Sequence, residues 1–341
     1  MNAMKIPATE IKKIAVFRAL QLGDMLCVIP AIRALRAAYP DARITLLGLP
    51  WASMLTERFH EYFDEFIWFP GYPGLPEQQI DPARTAAFFQ AMIDRKYDLI
   101  LQMQGNGSIV NPMIELLGAK YTAGFCIRDH YYPQNDLFLE YPDGLHEIER
   151  HLALVEHLGI GSQGIHLEFP ITWQDEDALA QAGLNVRPQE YVCIHPGSRG
   201  SWRQWPTYYF AEIADIFAAR GFKVVVTGTS AEAELVNEVI HYMQYPSINA
   251  AGKTSLGAIA ALIRDAYALV SNCTGVSHIA AATATRSIVI SMDGEPERWA
   301  PLNKDLHYTV DWTKNPDFEA IRRTASVISS GEGITSGFSI T

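Results

Sequence analysis

Four short windows of the sequence hold residue types that could do chemistry, and each follows an apolar run that reads as a strand. The first is Leu22-Gly23-Asp24, after the run 14–19 (IAVFRA). A carboxylate placed there has two readings. It can cap the helix that follows, where Asp is a favoured residue. It can also act as a general base, because transfer of a group onto a hydroxyl needs a carboxylate to take the proton as the bond forms. The readings are compatible: a helix N-terminus keeps a carboxylate ionised, while weakening it as a base.

The second window is His195 to Pro206 (HPGSRGSWRQWP), which runs from a strand end into a helix start. Gly197 and Gly200 let backbone approach a ligand closely. Ser198 can donate its hydroxyl, and Arg199 and Arg203 can each fork onto phosphate oxygens. Glycines, two arginines and a helix N-terminus together suit an anion. The plainer alternative is a surface loop in which Trp202 and Trp205 pack locally.

The third window is Ser271 to His278 (SNCTGVSH), again strand end to helix start. Backbone N–H groups of Thr274, Gly275 and Val276 can cradle an anion. His278 falls one turn into that helix, where a lone histidine is more often structural. Cys273 has no Cys–His–acid pattern around it and reads as a small buried residue. The fourth window, 228–232 (GTSAE), places Glu232 where acidic residues hydrogen-bond a ribose. Glu232 could equally decorate the first turn of a helix. No acidic pair stands beside a strand to hold a divalent ion, and 175–177 (DED) reads as a solvated helix start. Leaving-group charge is therefore expected to fall to arginines, amides and helix dipoles, without metal.

The elements around these windows alternate strand and helix, which predicts a parallel α/β sheet. Strands are expected at 14–19, 44–49, 98–103, 191–195, 223–227, 268–271 and 287–291. Residues 23–24 are expected to turn into a helix with Met25, Ile29, Ile32 and Leu35 on one face. Pro30 lies inside that pattern and should kink the helix or delay its start. Further helices are expected at 147–158, at 207–219 capped by Thr207, at 231–240, at 256–263 and from 316 onward. Periodicity lapses over 161–173, a linker between two βαβ halves. The tail after Ser329 is Gly/Ser-rich and expected to fray. Ligands of doubly wound halves sit at the carboxyl ends of strands, so the expected site is a cleft between them.

A chain of 341 residues exceeds the ~250–300 that one core supports, so two domains are expected. The proposed division is 1–165, 172–315 and a C-terminal helix with tail at 316–341. A net charge of −11 argues against general nucleic-acid binding. Cys27, Cys126, Cys193 and Cys273 are scattered, with no zinc-ligand spacing, which fits a reducing compartment. No apolar leader or run of about 18 apolar residues is visible. A cytoplasmic protein is expected, one that would have to reach any lipid-linked partner from the membrane surface.

Taken in order, the windows resemble glycosyltransferase family nine, the ADP-heptose:lipopolysaccharide heptosyltransferases. The resemblance runs through FRALQLGDMLCVIPAIRALRAAYPDARI, IHPGSRGSWRQWP, VVVTGTSAEAE, AGKTSLGAIAALI and SNCTGVSHIAAA. It implies a GT-B fold, two Rossmann-like domains with acceptor in the N-terminal half and donor in the C-terminal half. It also implies a metal-independent, inverting displacement that uses an ADP-activated sugar as donor and no cofactor. Asp24 matches the family's general base, Glu232 its ribose ligand, and Thr274, Gly275 and His278 its pyrophosphate loop. Arg203 stands where the family usually has a lysine, and Cys273 where it commonly has Asp. The segment 69–84 matches no common family element. The implied partners are a nucleotide-sugar donor and a glycan or lipid-linked glycan acceptor. A sugar-nucleotide epimerase of the same fold and a silent nucleotide-sugar-binding protein are the competing functions.

Overall fold

The computed structural model describes residues 3–133 and 136–331. The chain forms two compact units, Met1–His166 and Leu167–Thr341. The expected frayed tail falls mostly on residues 332–341, outside the described residues.

The first unit carries strands β1 (Lys13–Phe17), β2 (Arg43–Gly48), β3 (Glu65–Trp68), β4 (Leu99–Gln102), β5 (Tyr121–Cys126) and β6 (Phe138–Glu140). Its helices are α1 (Leu22–Ala38), α2 (Ser53–Arg58), α3 (Pro82–Arg95), α4 (Val110–Glu115) and α5 (Glu147–His157). All strand pairs are parallel, in the order β3-β2-β1-β4-β5-β6. Parallel strands covered on both faces are continuously apolar, and Ile14, Ala15, Val16 and Phe17 are all fully buried. Ala15, Phe17 and Ile100 pack with Phe88 and Met92 of α3 and Met113 and Ile114 of α4. The segment 69–84 supplies Phe69, which meets Phe17 and Phe88 edge-on. It then ends in Asp81, whose carboxylate caps α3 with Pro82 at the first helical position.

Two expectations about α1 are corrected. Gly23 and Asp24 are not a turn: the helix already begins at Leu22, and Gln21 is its N-cap. Pro30 does not delay its start, since one continuous helix spans Leu22–Ala38 with Pro30 inside it. Every residue from Met25 to Ile32 is buried, so packing all round the helix offsets the hydrogen bond that proline removes.

The second unit carries strands β7 (Tyr191–His195), β8 (Lys223–Val226), β9 (Ser247–Asn249), β10 (Ala268–Asn272), β11 (Ser287–Ser291) and β12 (His307–Asp311). Its helices are α6 (Trp173–Gln181), α7 (Thr207–Ala218), α8 (Ala233–Tyr242), α9 (Leu256–Asp265), α10 (Gly275–Ala282), α11 (Pro296–Trp299) and α12 (Phe318–Ser329). The sheet is parallel, in the order β12-β11-β10-β7-β8-β9. Alternate strand residues Val192, Ile194, Val224, Val226, Val270 and Ile290 join one core with Phe210 and Phe217 of α7 and Ile321 and Ile328 of α12. The last helix is thus part of this unit's core. The cap expected at Thr207 is shifted by one: Pro206 is the N-cap and Thr207 the first helical residue. The helix expected from 231 starts as a tight turn, Ser230–Glu232, before α8 begins at Ala233.

Each sheet has the same order when its strands are counted from the unit's own first strand: 3-2-1-4-5-6. The order reverses between β1 and β4 in one unit and between β7 and β10 in the other. Outside the carboxyl ends of those strands lies the crevice that doubly wound sheets use for ligands.

Candidate active site

In the first unit the chain leaves β1 at Phe17 and enters α1 four residues after Arg18. Asp24 lies in the first turn of α1, its side chain 24% exposed. Gln21 caps without a side-chain hydrogen bond, so the capping reading of Asp24 does not hold at the N-cap itself. The ends of β1 and β4 are laced together there: the Ala19 N–H donates to Gln104 Oε1 at 2.7 Å, and Arg18 Nη1 donates to the Met103 carbonyl.

Arg18 is fully buried. Its Nε donates to the Asp24 carbonyl at 2.9 Å, and its Nη2 lies 3.1 Å from Glu147 Oε1 and 3.8 Å from Asp24 Oδ1. Glu147 also takes Arg150 on Oε2 and His151 Nε2 on Oε1 at 3.2 Å. Burial and the neighbouring Arg18 push the His151 pKa down to about 4, so the ring is neutral at pH 7. Sequence reasoning missed this ionic group. The available signals were an arginine inside an apolar strand, and Glu147-x-x-Arg150-His151 on the buried side of a helix.

In the second unit, register places Ser271 beside His195, so the loops that follow β7 and β10 leave side by side. Asn272 binds them together. Its Nδ2 donates to the Pro196 carbonyl at 2.7 Å, and its Oδ1 accepts from the Trp205 N–H at 2.9 Å. Gln204 Nε2 donates to the Ser198 carbonyl at 3.1 Å. Ser198 is buried and, among the described residues, its Oγ has no hydrogen-bond partner. A buried hydroxyl left unmatched is costly, and this one lies in the loop where an anion site is expected. Trp205 is fully buried and stacks on Tyr209, as the packing alternative required, whereas Trp202 is 68% exposed.

Arg203 Nη2 pairs with Asp293 Oδ2, and lies 3.4 Å from the Cys273 carbonyl. Arg203 is thus brought to the loop of the third window. Arg199 is exposed. Asp293, just past β11, was not singled out in the sequence because it lies in no glycine-rich window. Thr274 is the N-cap of α10, and its N–H donates to Ser277 Oγ at 3.3 Å. His278 is buried one turn on, its ring 6.4 Å from that of Trp299. Cys273 is buried, and burial pushes its thiol up to about 12, which removes it as a nucleophile.

Glu232 caps its own turn. Its Oε2 accepts from the Thr229 N–H at 2.8 Å and Thr229 Oγ1 at 2.9 Å, a reciprocal cap. Its Oε1 lies against Gly197, where a Cβ would come within 2.3 Å. His195, buried behind it, bonds Thr227 Oγ1 at 3.0 Å, and burial lowers its pKa. Ser198, Arg203, Glu232 and Thr274–Gly275 therefore gather at the carboxyl ends of β7, β8 and β10. Among the described residues, no group of three or more His, Cys, Asp or Glu is placed to hold a metal ion. Nor is any described helix long and apolar enough to cross a membrane.

Two parallel six-stranded sheets in this order, with Asp24 at one switch point and the loops of Ser198, Arg203 and Thr274 at the other, are the architecture of a GT-B glycosyltransferase. The chain belongs to glycosyltransferase family 9 (heptosyltransferase), whose model matches residues 85–327. It is 27% identical over 303 residues to lipopolysaccharide heptosyltransferase 3 of Escherichia coli, spanning 83% of this chain and 84% of that one. It is 33% identical over 300 residues to lipooligosaccharide heptosyltransferase 2 of Haemophilus influenzae, spanning 83% and 84%. The fold matches that of E. coli ADP-heptose lps heptosyltransferase II with a TM-score of 0.69 at 20% identity, over 88% of this chain and 90% of that one. Membership supports sugar transfer, and nothing in these likenesses supports the epimerase or silent-binding readings.

Proposed function

We propose that this glycosyltransferase moves heptose from ADP-heptose onto a lipopolysaccharide-core or similar glycan acceptor, by an inverting displacement that needs no metal. The donor's diphosphate is assigned to the second unit. The observation that carries this is the buried, unpartnered Ser198 hydroxyl, with Arg203 and the N-terminus of α10 converging beside it. Arg203, Arg199 and the Thr274 and Gly275 amides would meet the phosphate charge, and His278 supports the loop. Glu232 Oε1 would accept from a ribose hydroxyl across Gly197.

Asp24 is the base. The acceptor hydroxyl gives its proton to the Asp24 carboxylate as its oxygen bonds the anomeric carbon. The bond from that carbon to the phosphate oxygen breaks on the opposite face, and ADP leaves with the electron pair. Cations and amides fixed before the reaction stabilise the charge that develops on ADP. The names of the relatives, which act on lipopolysaccharide or lipooligosaccharide, support the acceptor class. A lipid-linked acceptor would be met peripherally, at the cytoplasmic surface of the inner membrane.

The test is Asp24→Asn. Acceptor-dependent ADP release should fall by about 10²–10⁴-fold, the usual contribution of a general base. Affinity for ADP-heptose, measured by calorimetry, should stay within about twofold of the wild type, less than 0.5 kcal/mol. A wild-type kcat in this variant would remove Asp24 from the chemistry.

A further inference from the structure

We infer that Arg18, clamped by Glu147, is a positioning residue that holds Asp24 in its working orientation and ionised state. The inference rests on the reading of Asp24 as the base. Arg18 grips Asp24 twice, through the backbone carbonyl at 2.9 Å and through the carboxylate at 3.8 Å. The first is a hydrogen bond and the second a charge contact. The grip is rigid because the guanidinium fork is spent: Nη1 is on the Met103 carbonyl and Nη2 on Glu147. No rotamer change of Arg18 can withdraw it from Asp24 without breaking a buried bond.

Charge counting points the same way. The buried group holds two cations, Arg18 and Arg150, against one anion, Glu147. His151 is neutral. The group therefore carries one excess positive charge, and Asp24, from α1, is the carboxylate that balances it. Protonating Asp24 would leave a buried cation uncompensated, which is unfavourable. The device keeps Asp24 charged until an acceptor hydroxyl arrives. In this count Arg18, at the end of β1, contacts Asp24 directly, while Glu147 of α5 holds Arg18 and is itself held by Arg150 and His151.

The decisive variant is Arg18→Met. It leaves Glu147 paired with Arg150, so the buried charge still balances and the unit should fold. We expect kcat to fall at least about tenfold while the donor KM stays within about twofold. The acid limb of the pH–kcat profile should move up by about one pH unit, since an opposite charge within ~4–6 Å lowers a carboxyl pKa by 1–3. Arg18→Lys should restore the limb and part of kcat, because the charge returns without the fork. A folded Arg18→Met with wild-type kcat and an unmoved limb overturns the inference. If that variant does not fold, Arg18→Gln serves instead: it keeps Glu147 paired with Arg150 and a donor for the Met103 carbonyl, it should lower kcat and move the limb in the same way, and wild-type kcat with an unmoved limb there overturns the inference equally. Asp24→Asn, assayed alongside, separates the two failures. Turnover in Asp24→Asn sinks the base reading, and this inference with it. Loss of turnover there with a wild-type Arg18→Met sinks this inference alone.

Discussion

The carboxylate of Asp293 holds the guanidinium of Arg203 at the edge of the loop that follows β10. Asp293 is in turn fixed by Ser291 Oγ, which donates to its Oδ1 at 2.8 Å. Its side chain is only 8% exposed, so water screens the charge weakly. A diphosphate at Ser198 and Thr274 would compete with Asp293 for the same guanidinium. The Asp293→Asn protein should bind ADP about fivefold more tightly, roughly 1 kcal/mol, because the competing anion is gone. Arg203→Ala should weaken ADP at least tenfold, the loss of a charge-assisted contact worth about 1.5–3 kcal/mol. Calorimetric titration of both variants checks the pair. Weaker binding in Asp293→Asn would mean that Asp293 orients Arg203 without competing for it.

Gly197 answers to close approach, not to an unusual backbone angle. A Cβ at 197 would stand 2.3 Å from Glu232 Oε1 and 2.5 Å from its carboxyl carbon. Gly197→Ala must displace Glu232, and the Thr229 cap with it. Loss of such a cap costs about 1 kcal/mol, which should appear as a lower melting temperature of the free protein. The stabilisation that saturating ADP gives by mass action should also shrink. An alanine variant with unchanged melting, with and without ADP, would show that Glu232 relocates without loss and does not contact the donor.

On the proposed reading, Arg203, Arg199 and the α10 amides supply the positive charge offered to the leaving group. Turnover should therefore survive exhaustive chelation with EDTA. Loss of activity that added Mg²⁺ restores would reassign part of that charge to a metal.

How much of this was legible in the sequence depends on the range of the interaction. Strands β7 and β11 read correctly to the residue, because a short apolar run bounded by polar loops is a local signal. The windows holding Ser198, Glu232 and Thr274 were legible for the same reason, as each is a strand end, a glycine and a helix start. Asp293 was not, because its importance comes from Arg203, ninety positions away in the chain. Arg18 and Glu147 were lost likewise: 129 positions separate them, and each alone looks like a charge on an ordinary element. Pro30 failed in the other direction. A local rule offered a kink or a late start, and the helix begins ahead of Pro30 at Leu22 and runs through it to Ala38. Strand β6 and helix α4 are short and carry too few periods to be recognised.

Two buried histidines give the fold a pH dependence of known sign. Burial lowers the pKa of His151 and of His307 from the ordinary 6.5 to about 4, with Arg18 and Lys304 adding to it. The unfolded chain therefore takes up two protons between pH 6.5 and pH 4 that the folded chain refuses. Stability should be level in this respect above pH 6.5 and fall as pH drops towards 4, by roughly 2 kcal/mol per histidine at pH 5. His307 bonds Ser287 Oγ at 2.8 Å, in the sheet and apart from the proposed chemistry. A glutamine there can keep that bond without titrating. Urea unfolding of His307→Gln at pH 7.5 and pH 5 should show the wild-type difference between the two pH values reduced by roughly 2 kcal/mol. An undiminished difference would mean that His307 is protonated in the folded state at pH 5, with other groups carrying the whole dependence.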